Sequence, residues 1–325
     1  MSVFGFVVIG RNEGQRLASC LTAVRTYGAR VVYVDSASDD GSPELAKQMG
    51  AVVVSLDASR PMNASRGRQE GTLVLLELLP DCEFIQFIDG DCVLASGWID
   101  AALEFMREHS AAAVVCGRRF EAFPKASIYN RLCDEEWNTP CGLVAASGGD
   151  ALMRVDKLTA VGGFDPTLMA SEEPELAARL RAAGWEIWRI DALMAEHDAS
   201  ILSYRAYWRR SLRGGFGLWQ AWRRTSHLGC PINARPLLSA FFWVVGSPVL
   251  LAIVAGILRA PTVMLALPLL YLSQIARMVA RKGALSWHNW RAASLVLSIK
   301  TAELLGAARA SLATQQKTAI DYKRS

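Results

Sequence analysis

The sequence predicts an α/β protein, a doubly wound domain over residues 1–203 followed by basic, aromatic and apolar helices. Three observations carry this expectation. Short valine-rich runs alternate with segments of helical spacing as far as Asp91. One of those runs, Phe84-Ile85-Gln86-Phe87-Ile88, ends in Asp89-Gly90-Asp91. Late in the chain, two long stretches are almost free of charge.

Taken in order, Phe4 to Ile9 is a continuous apolar run that fits a strand covered on both faces. Gly10-Arg11-Asn12-Glu13-Gly14 turns out of it, and Leu17, Cys20, Leu21 and Val24 then recur at helical spacing. Val31 to Val34 is a second buried strand, leading into Asp35-Ser36-Ala37-Ser38-Asp39-Asp40-Gly41-Ser42, after which Pro43 opens a helix. A third strand, Ala51 to Ser55, precedes a polar loop with Arg60, Asn63, Arg66 and Arg68. A helix from about Gly71 to Leu79 then leads to the strand bearing Asp89 and Asp91. In sheets of this kind ligands sit beyond the carboxyl ends of the strands, where Asn12, Asp35, Arg66 and Asp91 fall.

With 325 residues and 52% hydrophobic content, the chain can bury a full core and retain an appendage. A net charge of +4, with no long basic run interleaved with aromatics in the first two hundred residues, speaks against a nucleic-acid groove. The seven cysteines are scattered without a Cys-x-x-Cys pair, so neither a disulfide framework nor a zinc knuckle is indicated. The apolar start lacks a basic leader and breaks at Arg11-Asn12-Glu13, which suits a first strand rather than a signal peptide.

Asp89 and Asp91 stand two residues apart, so on an extended strand end both project to one side, with a glycine between them. Mg²⁺ and Mn²⁺ keep open positions for water and substrate phosphates, which fits a cation shared with a diphosphate. Asp-Gly-Asp is equally ordinary turn chemistry. Asp35 can accept from a base N–H or a ribose hydroxyl, and Arg66 and Arg68 can pair with phosphate oxygens. The competing reading makes Asp35 a helix cap and the arginines a solvated face. Taken together, these residues describe a nucleoside diphosphate pocket.

Val7-Val8-Ile9-Gly10-Arg11-Asn12-Glu13, Val34-Asp35-Ser36-Ala37-Ser38-Asp39-Asp40-Gly41-Ser42 and Phe87-Ile88-Asp89-Gly90-Asp91 resemble the successive signatures of family 2 inverting glycosyltransferases with the GT-A fold. The resemblance continues through Gly148-Gly149-Asp150-Ala151-Leu152-Met153-Arg154, Gly162-Gly163-Phe164-Asp165 and Ser171-Glu172-Glu173-Pro174-Glu175-Leu176. It implies a GT-A, Rossmann-like nucleotide-diphospho-sugar transferase domain. Asp35 with Asn12 or Glu13 would face the nucleotide base, Asp89 the ribose or metal, and Asp91 the metal, a divalent Mn or Mg ion. Arg66 and Arg68 fall in the family's basic loop, and Gln69 stands where asparagine is common.

Inverting transfer needs a general base that deprotonates the acceptor hydroxyl. In the related enzymes the second residue of a Glu-Asp pair serves. Here the pair is Glu172-Glu173, which makes Glu173 the expected base, one methylene longer than aspartate. Both glutamates also suit a helix start, standing just ahead of a helical segment over Glu175 to Ala183 with Pro174 at the first helical position. Trp185 to Ile190 alternates like a last strand, and His197, shortly after it, is by resemblance a candidate metal ligand. Asp134-Glu135-Glu136-Trp137 lies where acceptor contacts are expected by resemblance, with Trp137 able to stack on a sugar.

Residues 204–236 mix Arg205, Arg209, Arg210, Arg213, Arg223 and Arg224 with Trp208, Trp219 and Trp222, a composition suited to the headgroup zone of a membrane. Residues 237–276 read as a membrane hairpin, with Leu237 to Leu258 uncharged and Ala260 to Ala276 a shorter second run, so the alternative is a hairpin that enters the membrane without fully crossing it. Arg223, Arg224 and Arg235 before it, and Arg277, Arg281 and Lys282 after it, place both flanks in the cytoplasm. Residues 277–325 form an amphipathic C-terminal helix and tail, the helix over Ala292 to Leu312.

The expected protein is an inverting glycosyltransferase of the inner membrane with a cytoplasmic catalytic domain. Its donor would be a nucleotide-sugar, by family frequency a UDP-sugar, and its acceptor a lipid-linked or other glycan. No nucleic acid partner is expected. The alternatives are a processive polysaccharide synthase and a sugar nucleotidyltransferase; against the first, Gln220-Ala221-Trp222-Arg223-Arg224 departs from the Gln-x-x-Arg-Trp signature. A nucleotide-sugar-binding scaffold without turnover is a third, disfavoured by the acidic pair.

Overall fold

A computed structural model describes residues 3–229 and 232–313. They divide into two compact units, residues 3–202 with 221–229 and 232 in the first, and residues 203–220 with 233–313 in the second.

The first unit begins with β1 (Phe4–Gly10), α1 (Gln15–Arg25), β2 (Arg30–Asp35), α2 (Ser42–Gln48), β3 (Val52–Ser55), α3 (Ala64–Leu78) and β4 (Phe84–Asp89). It continues through β5 (Cys92–Leu94), α4 (Trp98–Glu108), β6 (Ala112–Glu121), α5 (Ile128–Trp137), β7 (Gly142–Leu143), β8 (Ala151–Arg154), α6 (Val155–Ala160), α7 (Glu172–Ala182) and β9 (Glu186–His197). Among the described residues the strands make one nine-stranded sheet in the order β3-β2-β1-β4-β8-β6-β9-β5, with β7 beside β9.

The apolar runs became strands because helices cover both their faces. Phe6, Val7, Val8, Val32, Tyr33, Val34, Ile85 and Phe87 are all fully buried. β3, β2, β1 and β4 are parallel, and the register sets Gly10 beside Asp35 and Ile9 beside Asp89. Three loops therefore open along one edge of the sheet. The sheet is mixed rather than wholly parallel, since β8 runs antiparallel to both β4 and β6.

Four boundaries differ from the sequence reading. α3 starts at Ala64 because Asn63 caps it, its Oδ1 accepting the Arg66 N–H at 2.7 Å. Arg66 and Arg68 thus stand on a helix and not in a polar loop. α7 starts at Glu172, so both glutamates occupy its first turn. The last strand runs on to His197, which pairs across with Cys92. The C-terminal segment is two helices, α12 (Trp287–Ser298) and α13 (Lys300–Leu312), as described below.

α8 (Tyr204–Thr225) runs from the second unit into the first. The second unit adds α9 (Ala234–Phe241), a π turn over Phe242–Gly246, α10 (Ser247–Leu258), a 3₁₀ turn over Pro261–Leu265 and α11 (Ala266–Lys282). Ala234–Leu258 and Pro261–Lys282 are each long and apolar enough to cross a membrane. Leu238, Leu250, Ile253, Ile257 and Leu269 on these helices are each more than half exposed, unlike a soluble core helix. The π turn precedes Pro248 and relieves the helix where its ring would clash. The break between α12 and α13 lies where Ser298 and Thr301 hydroxyls donate back to the Leu295 and Ser298 carbonyls.

Gly71 shows how tightly the first layer packs. A Cβ there would lie 2.5 Å from Val7 Cγ1 and 2.8 Å from Val34 Cγ2, on two different strands. Gly71→Val is expected to destabilise the protein by about 1–3 kcal/mol through overpacking, read as a lowered thermal midpoint. An unchanged midpoint would show that α3 can lift from the sheet without cost.

Candidate active site

The loops leaving β1 and β2 are stitched together. Asn12, at φ 55°, donates its N–H to Ser38 Oγ at 2.9 Å and accepts the Asp39 N–H on Oδ1 at 2.9 Å. Asp35 is buried; it accepts from Ser38 N–H at 2.9 Å, Ser38 Oγ at 2.5 Å and Tyr33 Oη at 3.1 Å. Its carboxylate organises its own loop and caps no helix. Glu13 is buried against Arg16, 2.7 Å away.

The end of β4 carries the acidic turn. The Asp89 N–H donates to Asp150 Oδ1 at 2.9 Å, and Cys92 Sγ donates to Asp150 Oδ2 at 3.3 Å. Arg119 Nη1 approaches that same oxygen at 3.3 Å. Asp150 is fully buried and thereby fixes both ends of the Asp89–Cys92 turn. Asp91 points to His197, with Oδ2 3.4 Å from Nε2. Burial lowers the imidazole's basicity, but the hydrogen bond and charge of Asp91 outweigh it, leaving His197 above its usual range. Its Nδ1 is buried with no hydrogen-bond partner among the described residues.

The two arginines take different places. Arg66 Nε pairs with Glu70 at 2.6 Å, and Nη1 donates to the Asp57 carbonyl at 2.8 Å, so Arg66 braces the 57–61 loop. Arg68 enters the acidic cluster instead. Its Nη2 lies 2.8 Å from Asp89 Oδ1, and its Nη1 lies 2.5 Å from Glu172 Oε1 and 3.2 Å from Glu173 Oε1. A single buried guanidinium thus joins the carboxylate at the end of β4 to the pair at the start of α7.

Gly149 makes this meeting possible. A Cβ there would strike Arg68 Nη2 and lie 2.9 Å from Asp89 Oδ2 and 3.2 Å from Glu173 Oε1. The turn ahead of α7 is held by side chains of α3. Gln69 Oε1 accepts the Phe164 N–H at 2.8 Å, and Ser65 Oγ donates to the Asp165 carbonyl at 2.5 Å. Arg224 closes on the same turn, Nη1 2.6 Å from Asp165 Oδ2.

Burial pushes the Glu173 carboxyl up to about 8; neighbouring Glu172 adds to this and Arg68 opposes it. Burial likewise raises Asp89 to about 6 against the pull of Arg68. A glutamate with this proton affinity can hold or accept a proton near neutral pH, which an ordinary surface glutamate cannot.

Trp137 does not offer an open face to a sugar. The Arg119 guanidinium lies over its ring, 4.2 Å from the centroid, and the His197 ring stacks on it at 4.7 Å. The sequence alone assigns no site role to Arg119, Gly149 or Asp150, although Gly149 and Asp150 lie within one of the family-like segments. The available signal was Gly148-Gly149-Asp150 at the mouth of a strand, small residues where backbone approaches closely.

Replacing Arg68 by methionine leaves three clustered carboxylates without their counter-charge. The Arg68→Met protein is expected to lose about 3–5 kcal/mol of stability near pH 8. The loss should shrink towards pH 5, where protonation relieves the repulsion. Thermal melts at both pH values check it; a deficit independent of pH would mean that Arg68 contributes packing alone.

Residues 6–141 match the family described as Glycosyl transferase family 2. The chain is 25% identical over 259 residues to the succinoglycan biosynthesis protein ExoA of Rhizobium meliloti (strain 1021), spanning 75% of this chain and 76% of that one. Among solved structures it is similar to the mannosyltransferase PcManGT from Pyrobaculum calidifontis, in complex with GDP-Man and Mn²⁺, with TM-score 0.57 and 16% identity over 95% of this chain and 87% of that one. It is also similar to S. aureus TarS 1-349, with TM-score 0.52 and 14% identity over 93% of this chain and 90% of that one. Together with the mixed sheet, these likenesses show a GT-A fold, with residues 6–141 carrying the match to the Glycosyl transferase family 2 domain.

Proposed function

We propose that this glycosyltransferase moves a sugar, with inversion, from a nucleotide-sugar to an acceptor hydroxyl, with Glu173 as the general base. One observation carries the reading: Arg68 gathers Asp89, Glu172 and Glu173 around Gly149, so the donor side and the base side share one cluster.

Asn12, Glu13 and Asp35 line the ends of β1 and β2 and receive the nucleoside, Asp35 offering its remaining lone pairs to a base N–H or ribose hydroxyl. A UDP-sugar is the favoured donor. Asp89 lies between this rim and Arg68. Glu173 takes the acceptor proton as the hydroxyl attacks the anomeric carbon, and Glu172, fixed by Arg68, keeps it in place. Arg66 supports the site indirectly by bracing the loop ahead of α3.

The donor set suits Mn²⁺ or Mg²⁺: carboxylates with one imidazole, the latter carrying a buried unsatisfied nitrogen. Asp91 and His197 would hold the ion, with Asp89 beside them. Bound there, it would supply charge neutralisation for the diphosphate leaving group. Their mutual contact, Oδ2 to Nε2 at 3.4 Å, supports this pairing of ligands.

The domain order we favour is a transferase domain at 1–203, interfacial helices at 204–236, a membrane hairpin at 237–276 and a C-terminal amphipathic region at 277–325. Two apolar helices with exposed faces, flanked by arginines, support an inner-membrane protein whose catalytic domain faces the cytoplasm. A lipid-linked glycan acceptor follows from that location.

Glu173→Gln is expected to retain nucleotide-sugar binding and to lose about 10²–10⁴-fold in transfer, measured as nucleoside diphosphate released. Turnover at the parental rate would sink the assignment. In the parent, the rate should climb as pH rises through about 8, well above the 4.5 of an unperturbed glutamate. Stability has the opposite trend. A raised carboxyl favours the folded state while protonated, so the parent loses stability from about 4.5 to about 8 and the Gln variant gains on it. Paired melts across that range check the sign.

Arg259 lies in the connection between the two apolar helices. An Arg259→Cys protein in intact cells is expected to react with a membrane-impermeant maleimide, while Cys141, exposed in the first unit, stays protected. Protection of the new cysteine would show that the hairpin does not cross.

A further inference from the structure

Cys92 has no part in the reaction outlined above, yet it sits among the metal-binding side chains. It opens β5, directly across from His197 in the antiparallel pair with β9, and it is fully buried. Its Sγ lies 3.8 Å from Asp91 Oδ1 and 3.3 Å from Asp150 Oδ2. The ligand atoms of Asp91, Cys92 and His197 lie within 4.8 Å of one another, as do those of Asp89, Cys92 and Asp150. Cys92 belongs to both groups.

A thiol does little for a hard cation. Mn²⁺ and Mg²⁺ prefer oxygen, whereas sulfur, imidazole and carboxylate together are the donors of a zinc site. Tetrahedral bonds of the usual zinc lengths put neighbouring ligand atoms roughly 3.4–3.8 Å apart, so side-chain adjustments of about 1 Å would close the trio. Asp91 and His197 keep 23% and 15% of their side chains exposed, which leaves an entry path to the buried sulfur.

The geometry points to a second cation chemistry in this pocket: Asp91, Cys92 and His197 form a site for a thiophilic divalent ion, Zn²⁺ or Cd²⁺, whose binding excludes the hard ion. On binding, the Cys92 thiol releases its proton to solvent and forms a metal–sulfur bond; no electron is transferred. His197 and Asp91 exchange their mutual contact for bonds to the ion. The ion-exclusion part rests on the proposal that Asp91 and His197 face Mn²⁺ or Mg²⁺. Since zinc stands above manganese in affinity for a given nitrogen, oxygen and sulfur site, the thiophilic ion wins at equal concentration.

The test is a Cd²⁺ titration of the purified full chain, with a non-thiol reductant, following the ultraviolet cadmium–thiolate charge-transfer band. The band is expected in the parent and in a Cys141→Ser/Cys230→Ser protein, and lost in Cys92→Ser. No band in the parent, or an undiminished band in folded Cys92→Ser, overturns the site. Should Cys92→Ser misfold by circular dichroism, His197→Ala decides: Cd²⁺ affinity should fall at least as far as for loss of an outer partner, roughly 10–100-fold. Unchanged affinity overturns the proposal. Electron paramagnetic resonance of Mn²⁺ separates the two readings. Release of bound Mn²⁺ by equimolar Zn²⁺ supports the exclusion, and simultaneous binding of both ions refutes it. A cadmium band in a chain that binds no Mn²⁺ would sustain the thiophilic site and discard the hard-ion assignment.

Discussion

The site depends on one buried positive charge. Arg68 is 2% exposed and reaches Asp89, Glu172 and Glu173, which come from segments far apart in the chain. Gathering those carboxylates without it would concentrate negative charge in a region of low dielectric, which proteins avoid by protonating or moving apart. With it, the β4 edge and the first turn of α7 become one unit. The planar guanidinium matters as well as its charge, since two of its nitrogens serve two different strand and helix ends at once. Burial still dominates over the attraction at Glu173, and that imbalance leaves the glutamate with a proton affinity useful for acid–base work.

Around this contact the architecture supplies register more than chemistry. Parallel pairing of β2, β1 and β4 brings Asp35, Gly10 and Asp89 to adjacent strand ends. Asn63, Ser65 and Gln69 on and before α3 clamp the turn that leads to α7, so the helix bearing Arg68 also sets the height of the glutamates. Asp150 performs the corresponding service for the acidic turn from below. The acidic turn and the turn ahead of α7 are thus held by fixed partners, as a preorganised site requires.

The strands and the two apolar helices were legible because burial on both faces and lipid-scale length each leave a compositional mark. The extended start of α3 was hidden because Asn63 reads equally as a loop residue; only its hydrogen bond to Arg66 N–H distinguishes a cap. Asp89, Asp91, Glu172 and Glu173 could be picked out as chemistry-bearing residues, but which arginine joins Asp89 to the two glutamates could not. Arg66 and Arg68 are two residues apart on a helix and so point in different directions, a distinction invisible while the segment is taken as a loop. For Trp137, adjacency to carboxylates in sequence said nothing of the Arg119 and His197 side chains that stack on its ring. His197 extends the last strand because the β5 pairing carries it past the alternating segment.

Gly149 has a consequence for how such an enzyme could change its preferences. The space a side chain would fill is occupied by Arg68, Asp89 and Glu173, so that position offers no room for tuning the pocket by enlargement. Asp150 next to it is equally committed. Divergence in sugar or acceptor must then come from outside this cluster, while the charged centre stays a fixed module on which different rims can be mounted.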